Sequence, residues 1–232
     1  MDDIYNNSVY LSHNPQWHQE DAPGKADFIF KILESEKINF QSVCEIGCGS
    51  GEILKQLQLK IADPNMIYHG YDISSEAISL SKSKVNSTLD FFCEDFTQKA
   101  ISTPYDVLLV IDVIEHLRDY FTFIEKIKPK GRYTVFHIPL DMFVWSLFRE
   151  KMLLESKTRV GHIHNFTEHF ILSVLKDAGY TIMKTQFTEP DYTANSVKQR
   201  IVNFARRVLF KVSPRFCTKT LGGYSILVLC RN

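Results

Sequence analysis

Along this 232-residue chain, apolar runs of strand length alternate with segments of helical period, and no other feature limits the available folds as much. "SVCEIGC", "MIYHGYDI", "LDFFCEDF", "YDVLLVIDV" and "RYTVFHIPL" are strand-like runs rich in Val, Ile, Phe and Tyr. Between them, "GEILKQLQLKI", "SSEAISLSKSKV" and "LRDYFTFIEKIK" place apolar residues three or four apart. A helix after each strand returns the chain so that the next strand runs parallel, which predicts an α/β, doubly wound sheet covered on both faces. Farther on, "FTEHFILSVLKDAGY" is a helix with Thr167 placed to cap it and Gly179 to stop it, followed by strand candidates "TIMKTQF" and "YSILVLC". The length and a hydrophobic content of 44% suit one domain, and no repeat, low-complexity segment or Pro/Gly-rich linker divides it. The expectation is a single unit over 1–232: helices before residue 38 packed at the sheet's edge, a ligand-binding core over 39–140, and a substrate-side region over 141–232.

The first strand-to-helix turn carries "VCEIGCGSGEIL", with Gly47, Gly49 and Gly51 at alternate positions. Ligands of doubly wound sheets bind at such turns, beyond the carboxyl ends of the strands. A dinucleotide fingerprint needs a glycine where Glu52 stands, and a carboxylate there would repel a pyrophosphate. The lysine and hydroxyl residue of a P-loop are also missing. The next strand ends in "YHGYDIS", and Asp72, about 20 residues beyond the turn, is placed to accept hydrogen bonds from ribose hydroxyls. The third strand ends with Glu94, Asp95 and Phe96, suited to an adenine edge and face. A nucleoside with a cationic tail and no phosphate satisfies all of this, and S-adenosylmethionine has that form.

"VCEIGCGSGEIL", "GYDIS", "CEDF" and "YDVLLVIDVIEHL" resemble, in order and spacing, the motifs of class I S-adenosylmethionine-dependent methyltransferases over residues 40–140. "GHIHNFTEHFILSVLKDAGY" extends the similarity towards the ubiquinone-type small-molecule branch, types 11 and 23. The resemblance implies a Rossmann-like, seven-stranded sheet whose last strand is antiparallel and inserted beside the sixth. It implies S-adenosylmethionine as cofactor, with Glu45, Gly47, Gly49 and Gly51 near its methionine part. Asp72 is then expected at the ribose, Ile73 against the adenine, Asp95 at the adenine amino group with Phe96 beside it, and Asp112 and Val113 along the methyl-transfer cleft. Phe96 reads equally well as core, and Glu52 as a residue favouring the positive end of its helix.

Methyl transfer from a sulfonium is an in-line displacement, and a hydroxyl acceptor needs a base, for which histidine is the usual choice. His116 and His162 are the candidate catalytic residues; His137, between Phe136 and Ile138, reads as a satisfied buried histidine, and His164 lies in the same loop as His162. Asp112, Glu115 and His116 in "DVIEH" are similar to the E-x-x-E-H run of metal-dependent relatives such as small-RNA 3′-end methyltransferases. Because Asp stands first, and "IEHL" also opens helices in metal-free relatives, no metal is assigned. The function expected is O-methylation of a small molecule (a sugar, quinone or lipid-linked precursor). The alternatives are a metal-assisted RNA-end methyltransferase and a non-catalytic cofactor-binding scaffold.

Lysine plus arginine and aspartate plus glutamate both total 27, so no bulk charge steers the chain to nucleic acid. Five cysteines without a C-x-x-C pair, and an N-terminus unlike a signal peptide, place the chain in the cytoplasm. After Asp191 there is no acidic residue, yet eight cations follow, from Lys198 to Arg231. There Val197, Ile201, Phe204, Val208 and Leu209 share helical spacing. Two readings stand: a membrane-surface helix or clamp for an anionic acceptor, and a helix packed on the sheet with its basic side in water. Tyr10, Trp17 and His18 read as a lid over the substrate or equally as a packing cap.

Overall fold

The alternation builds one seven-stranded sheet from β1 (Ser42–Ile46), β2 (Ile67–Asp72), β3 (Leu89–Cys93), β4 (Tyr105–Ile111), β5 (Gly131–Pro139), β6 (Thr181–Thr188) and β7 (Ser225–Arg231). The strand order is β3-β2-β1-β4-β5-β7-β6. The pairings that join β3, β2, β1, β4 and β5 are parallel, whereas β7 runs antiparallel to both β5 and β6. This is the class I methyltransferase fold that the motifs implied. A computed structural model of the chain describes residues 19–189, 192 and 196–232; the lid expected of Tyr10, Trp17 and His18 lies outside the described residues.

Nine helices are described among these residues: α1 (Ala22–Ser35), α2 (Glu52–Ile61), α3 (Ser75–Ser81), α4 (Tyr120–Ile127), α5 (Val144–Leu147), α6 (Glu150–Val160), α7 (Glu168–Asp177), α8 (Val197–Val212) and α9 (Pro214–Thr220). In β4 the residues from Val107 to Ile111 are all buried, because a central strand covered on both faces has no polar side to show. Two core clusters result, one on each face: Leu108, Val110, Phe136 and Ile171 belong to the first, and Val107, Leu109, Leu54 and Ile29 to the second. The α7 cap is formed as the sequence suggests, with the Phe170 amide donating to Thr167 Oγ1 at 3.4 Å and Gly179 at φ +84° just beyond the end.

Two expectations change. The N-terminal helix does not sit at the sheet's edge. Ala26, Ile29, Ile32 and Leu33 of α1 are buried in the second cluster with Val43, Val135 and Leu229, so α1 crosses the face of the central strands. Its three-and-four spacing of apolar residues is what allows that burial. The other concerns α8: of its two readings the helix packed on the sheet gives way, since no residue is buried and the apolar stripe lies outside.

Candidate active site

A cavity of about 1230 Å³ opens at the carboxyl ends of the parallel strands, where the chain order reverses between β1 and β4. Drug-sized ligands occupy roughly 300–1,000 Å³, so this space can hold a nucleoside and a second molecule together. The glycine turn forms one wall. Gly47 has φ +75°, and a Cβ there would lie 2.6 Å from Val113 Cγ2, so the second residue after β4 closes directly on the turn. Gly51 is just as restricted, at φ +76° with the Phe91 ring 2.3 Å from where its Cβ would stand. These two glycines permit left-handed backbone at a crowded strand-to-helix corner, which no side chain would tolerate.

Asp72, at the end of β2, fastens that corner from the neighbouring strand. Its carboxylate accepts from the Gly49 amide at 2.8 Å and from the Ser74 amide at 2.8 Å. Burial raises its pKa, while these amides and that of Ile73 work the other way. Glu45, one residue before the end of β1, is 1% exposed, and its Oε2 has no hydrogen-bond partner. Burial pushes its pKa well up; Lys25 opposes the shift, and Asp72 and Asp112 add to it. A buried carboxyl with an orphan oxygen at a cavity wall fits a ligand bearing a cationic amine.

Asp112 adopts φ +53° directly after β4, a left-handed conformation that Asp tolerates better than most residues. It is held by Lys25 Nζ at 2.8 Å and His137 Nδ1 at 2.6 Å, and its amide donates to the His137 carbonyl at 3.0 Å. Burial works against the carboxylate, but the His137 and Lys25 interactions outweigh it and hold the pKa well below the usual range. For Lys25, burial opposes the ammonium, and Asp112 chiefly overcomes that, so its pKa is raised. The second nitrogen of His137 lies 2.8 Å from the Thr188 hydroxyl. His137 is therefore the satisfied, buried histidine that its strand position suggested.

His116 and His162 also line the cavity. His162 Nδ1 lies 2.7 Å from Asp141 Oδ2 and 3.3 Å from Ser156 Oγ. His116 Nδ1 lies 3.1 Å from the Gly161 carbonyl, and the two imidazole rings are 5.0 Å apart, edge to face. Glu115 is completely buried with neither oxygen hydrogen-bonded, and burial, reinforced by Asp112, drives its pKa well up. Glu115, His116 and His162 offer three ligand atoms within 4.8 Å of one another. Asp112 stands outside that group: the D-x-x-E-H spacing suggested three residues around one point, but its carboxylate is already engaged by Lys25 and His137.

Among the other sequence-predicted residues, Ile73 is 45% exposed at the rim. Asp95 also lines the cavity, its carboxylate accepting from the Thr97 amide at 2.9 Å and the Thr97 hydroxyl at 2.7 Å. Phe96 is only 1% exposed and packs 5.0 Å from the Tyr71 ring, so it is chiefly core with an edge on the cavity. The cavity thus brings together Glu45, Gly47, Gly49, Asp72, Ile73, Asp95, Phe96, Asp112, Val113, His116 and His162, while Gly51 stands just behind the turn. Sequence reasoning missed Lys25 and Asp141. Lys25 gives no local signal, and Asp141 is marked only by following the β5 run, where acids at strand ends recur in this sheet.

A family model described as a methyltransferase domain matches residues 16–185. No curated protein matches the chain in sequence. Several solved structures share the fold. The N-methyltransferase NodS from Bradyrhizobium japonicum, bound to S-adenosylhomocysteine, superimposes with TM-score 0.61 at 16% identity, covering 97% of this chain and 99% of that one. Magnesium protoporphyrin IX methyltransferase from Synechocystis, also with S-adenosylhomocysteine, gives 0.60 at 18%, covering 90% and 83%. The plantazolicin methyltransferase BpumL, in complex with a monoazolic desmethylPZN analog and S-adenosylhomocysteine, gives 0.60 at 17%, covering 97% and 88%.

Proposed function

The chain belongs to the methyltransferase-domain family and uses S-adenosylmethionine as donor, and from that premise we propose that it methylates a hydroxyl oxygen of a small molecule. The observation carrying this reading is His162, which lines the cavity and whose Nδ1 lies 2.7 Å from the Asp141 carboxylate. The donor, when bound, supplies the electrophilic methyl group. Gly47 and Gly49 let the backbone approach its methionine part, and Glu45 faces the cationic amine. Asp72 takes the ribose hydroxyls, Asp95 the adenine amino group, and Ile73 and Phe96 flank the ring. Val113 and the tethered Asp112 shape the cleft. Asp141 engages Nδ1 of His162, which leaves Nε2 to take the acceptor's proton while the carboxylate steadies the imidazolium. His116 packs against that ring and fixes its plane.

Labelled S-adenosylmethionine incubated with the small-molecule fraction of a cell extract should yield an O-methylated product. His162→Asn should slow that transfer by about 10²–10⁴-fold with S-adenosylhomocysteine affinity unchanged. Label on nitrogen or carbon, or full activity in the variant, would remove the reading. Binding of the homocysteine nucleoside without transfer to any fraction would favour a scaffold.

A second reading is favoured by Glu115, whose two oxygens accept no hydrogen bond and stand beside His116 and His162. Those three residues suit a divalent cation, which would lower the pKa of a coordinated hydroxyl. Titration calorimetry with Mn²⁺ or Zn²⁺ tests for the site directly, and activity indifferent to chelators would exclude its use. An RNA end as acceptor is disfavoured by the net charge of zero.

A further inference from the structure

The α8 helix is mounted the wrong way round for a soluble protein. Its half-buried positions are Asn203, Arg206, Leu209 and Phe210. Phe210 stacks on the Tyr224 ring at 4.7 Å, Asn203 donates to the Tyr192 carbonyl at 2.9 Å, and Arg206 donates to the Leu221 carbonyl at 3.1 Å. Facing outward is the apolar stripe: Val197, Ile201, Phe204, Val208 and Val212 are 70, 63, 71, 50 and 78% exposed. At 3.6 residues per turn these five lie on one line, with Arg200, Arg207 and Lys211 along one border and Lys198 on the other. All four cations are exposed.

The exposed apolar surface continues beyond α8. The α9 helix packs on α8 and presents Phe216, 57% exposed. It also touches α5, and the Phe143 ring just before α5 lies over Gly222, so the two segments are fastened together. There Trp145, Leu147 and Phe148 are 54, 61 and 77% exposed. From α5 the chain enters α6, whose last residue, Val160, and the following His162 line the cavity.

An apolar patch of this extent on a described surface calls for a covering partner. Three features select the partner. The stripe lies in one plane along a helix, Trp and Phe sit beside it, and cations without any acid from residue 192 onward flank it. A protein partner would need only the apolar part, whereas an anionic bilayer satisfies both. No helix among the described residues is long and apolar enough to cross a membrane, so contact would be in the interfacial plane.

We propose that α8 and α9, together with the α5 segment, dock this protein on an anionic lipid surface, and that the cavity thereby receives a lipid-linked hydroxyl acceptor. The second half of that statement rests on the methyltransferase reading above; the first stands without it.

Sedimentation with phosphatidylcholine vesicles, with and without an equal share of phosphatidylglycerol, tests the docking without turnover. Binding is expected to the anionic vesicles, at least tenfold tighter than to neutral ones and weakening with salt. Phe204→Glu and Phe148→Glu, both at exposed sites, should each lower it at least tenfold with unchanged circular dichroism and S-adenosylhomocysteine affinity. Arg200→Ala with Lys211→Ala should lower it by roughly tenfold or more, since each cation near such a surface contributes about a factor of five. Absence of binding to anionic vesicles would overturn the proposal. So would a dimer in light scattering that Phe204→Glu dissolves, since the stripe would then belong to a second copy. Vesicle binding without methyl transfer to any lipid fraction would overturn the acceptor assignment alone, and failure to bind S-adenosylhomocysteine would count against the methyltransferase reading instead.

Discussion

Glu45→Gln tests how the cavity is tuned for its ligand. The side chain is completely enclosed, one oxygen has no partner, and burial raises its pKa well above 4.5. Glutamine has the same shape without the charge. Below pH 4.5 both forms are neutral and should be similarly stable. As pH rises past 4.5 the unfolded chain releases the proton while the folded protein keeps it. The folded-state pKa is the higher of the two, so the stability associated with this proton is fully present below 4.5 and is lost until pH reaches the folded value. Across that interval the native protein should weaken relative to the variant by about 1.4 kcal/mol per pH unit, and beyond it the difference should stay constant. Urea unfolding of both proteins from pH 4 to 8, without ligand, reads this directly. Saturating S-adenosylhomocysteine should narrow the gap, because on the proposed reading its amino group gives the native carboxylate a cationic partner. A gap independent of pH, or a native protein that gains on glutamine as pH rises, would refute the argument from burial.

Gly47→Ala should cost about 1–2 kcal/mol for the left-handed backbone and about 1–3 kcal/mol more for the 2.6 Å encounter with Val113. A lowered urea midpoint and at least tenfold weaker binding of S-adenosylhomocysteine should appear together, whereas Gly24→Ala, with nothing within 4 Å of the new methyl, should lower neither. Lys25→Met leaves Asp112 with His137 alone and should cost about 2 kcal/mol, less than the 3–5 of a fully buried pair because both groups keep some solvent contact. The raised pKa of Lys25 keeps that cost in full up to 10.5, and it should be lost as pH rises from there through the folded value. A cost that stays constant above 10.5 would contradict the pairing.

The strand and helix order, the glycine turn and Asp72 were legible because each depends on residues close in sequence. Period sets the element, glycine sets the corner, and an acid at the next strand's end meets the corner by parallel pairing. Lys25 and Asp141 were not legible, since α1 and the end of β5 reach the cavity only through packing of distant segments. The α8 helix shows a different limit. Its periodicity reveals which residues share a face but not which face turns inward, and the usual rule, apolar side in, gives the wrong orientation here. The segment is bound to the sheet instead by Phe210 stacking on Tyr224 and by polar contacts from Asn203 and Arg206.

Asp112 shows why spacing alone does not tell which residues of the "DVIEH" run meet. Counting along the chain puts Asp112, Glu115 and His116 within one turn of each other, as if they shared a single centre. The backbone separates them. Asp112 takes a left-handed conformation that ties it to His137 and Lys25, and the short 3₁₀ turn Ile114–His116 follows at once. The Glu115 carbonyl then accepts from the amides of Ile163 and His164, at 2.9 and 3.1 Å, drawing the His162 loop against the turn. That loop brings His162, rather than Asp112, beside Glu115 and His116. The run therefore splits, Asp112 being tied to Lys25 and His137 while Glu115 and His116 stand with His162, and on the proposed reading the first serves the donor and the others the acceptor. A substitution at Asp112 should consequently act on fold stability and donor binding, and one at His162 on methyl transfer alone.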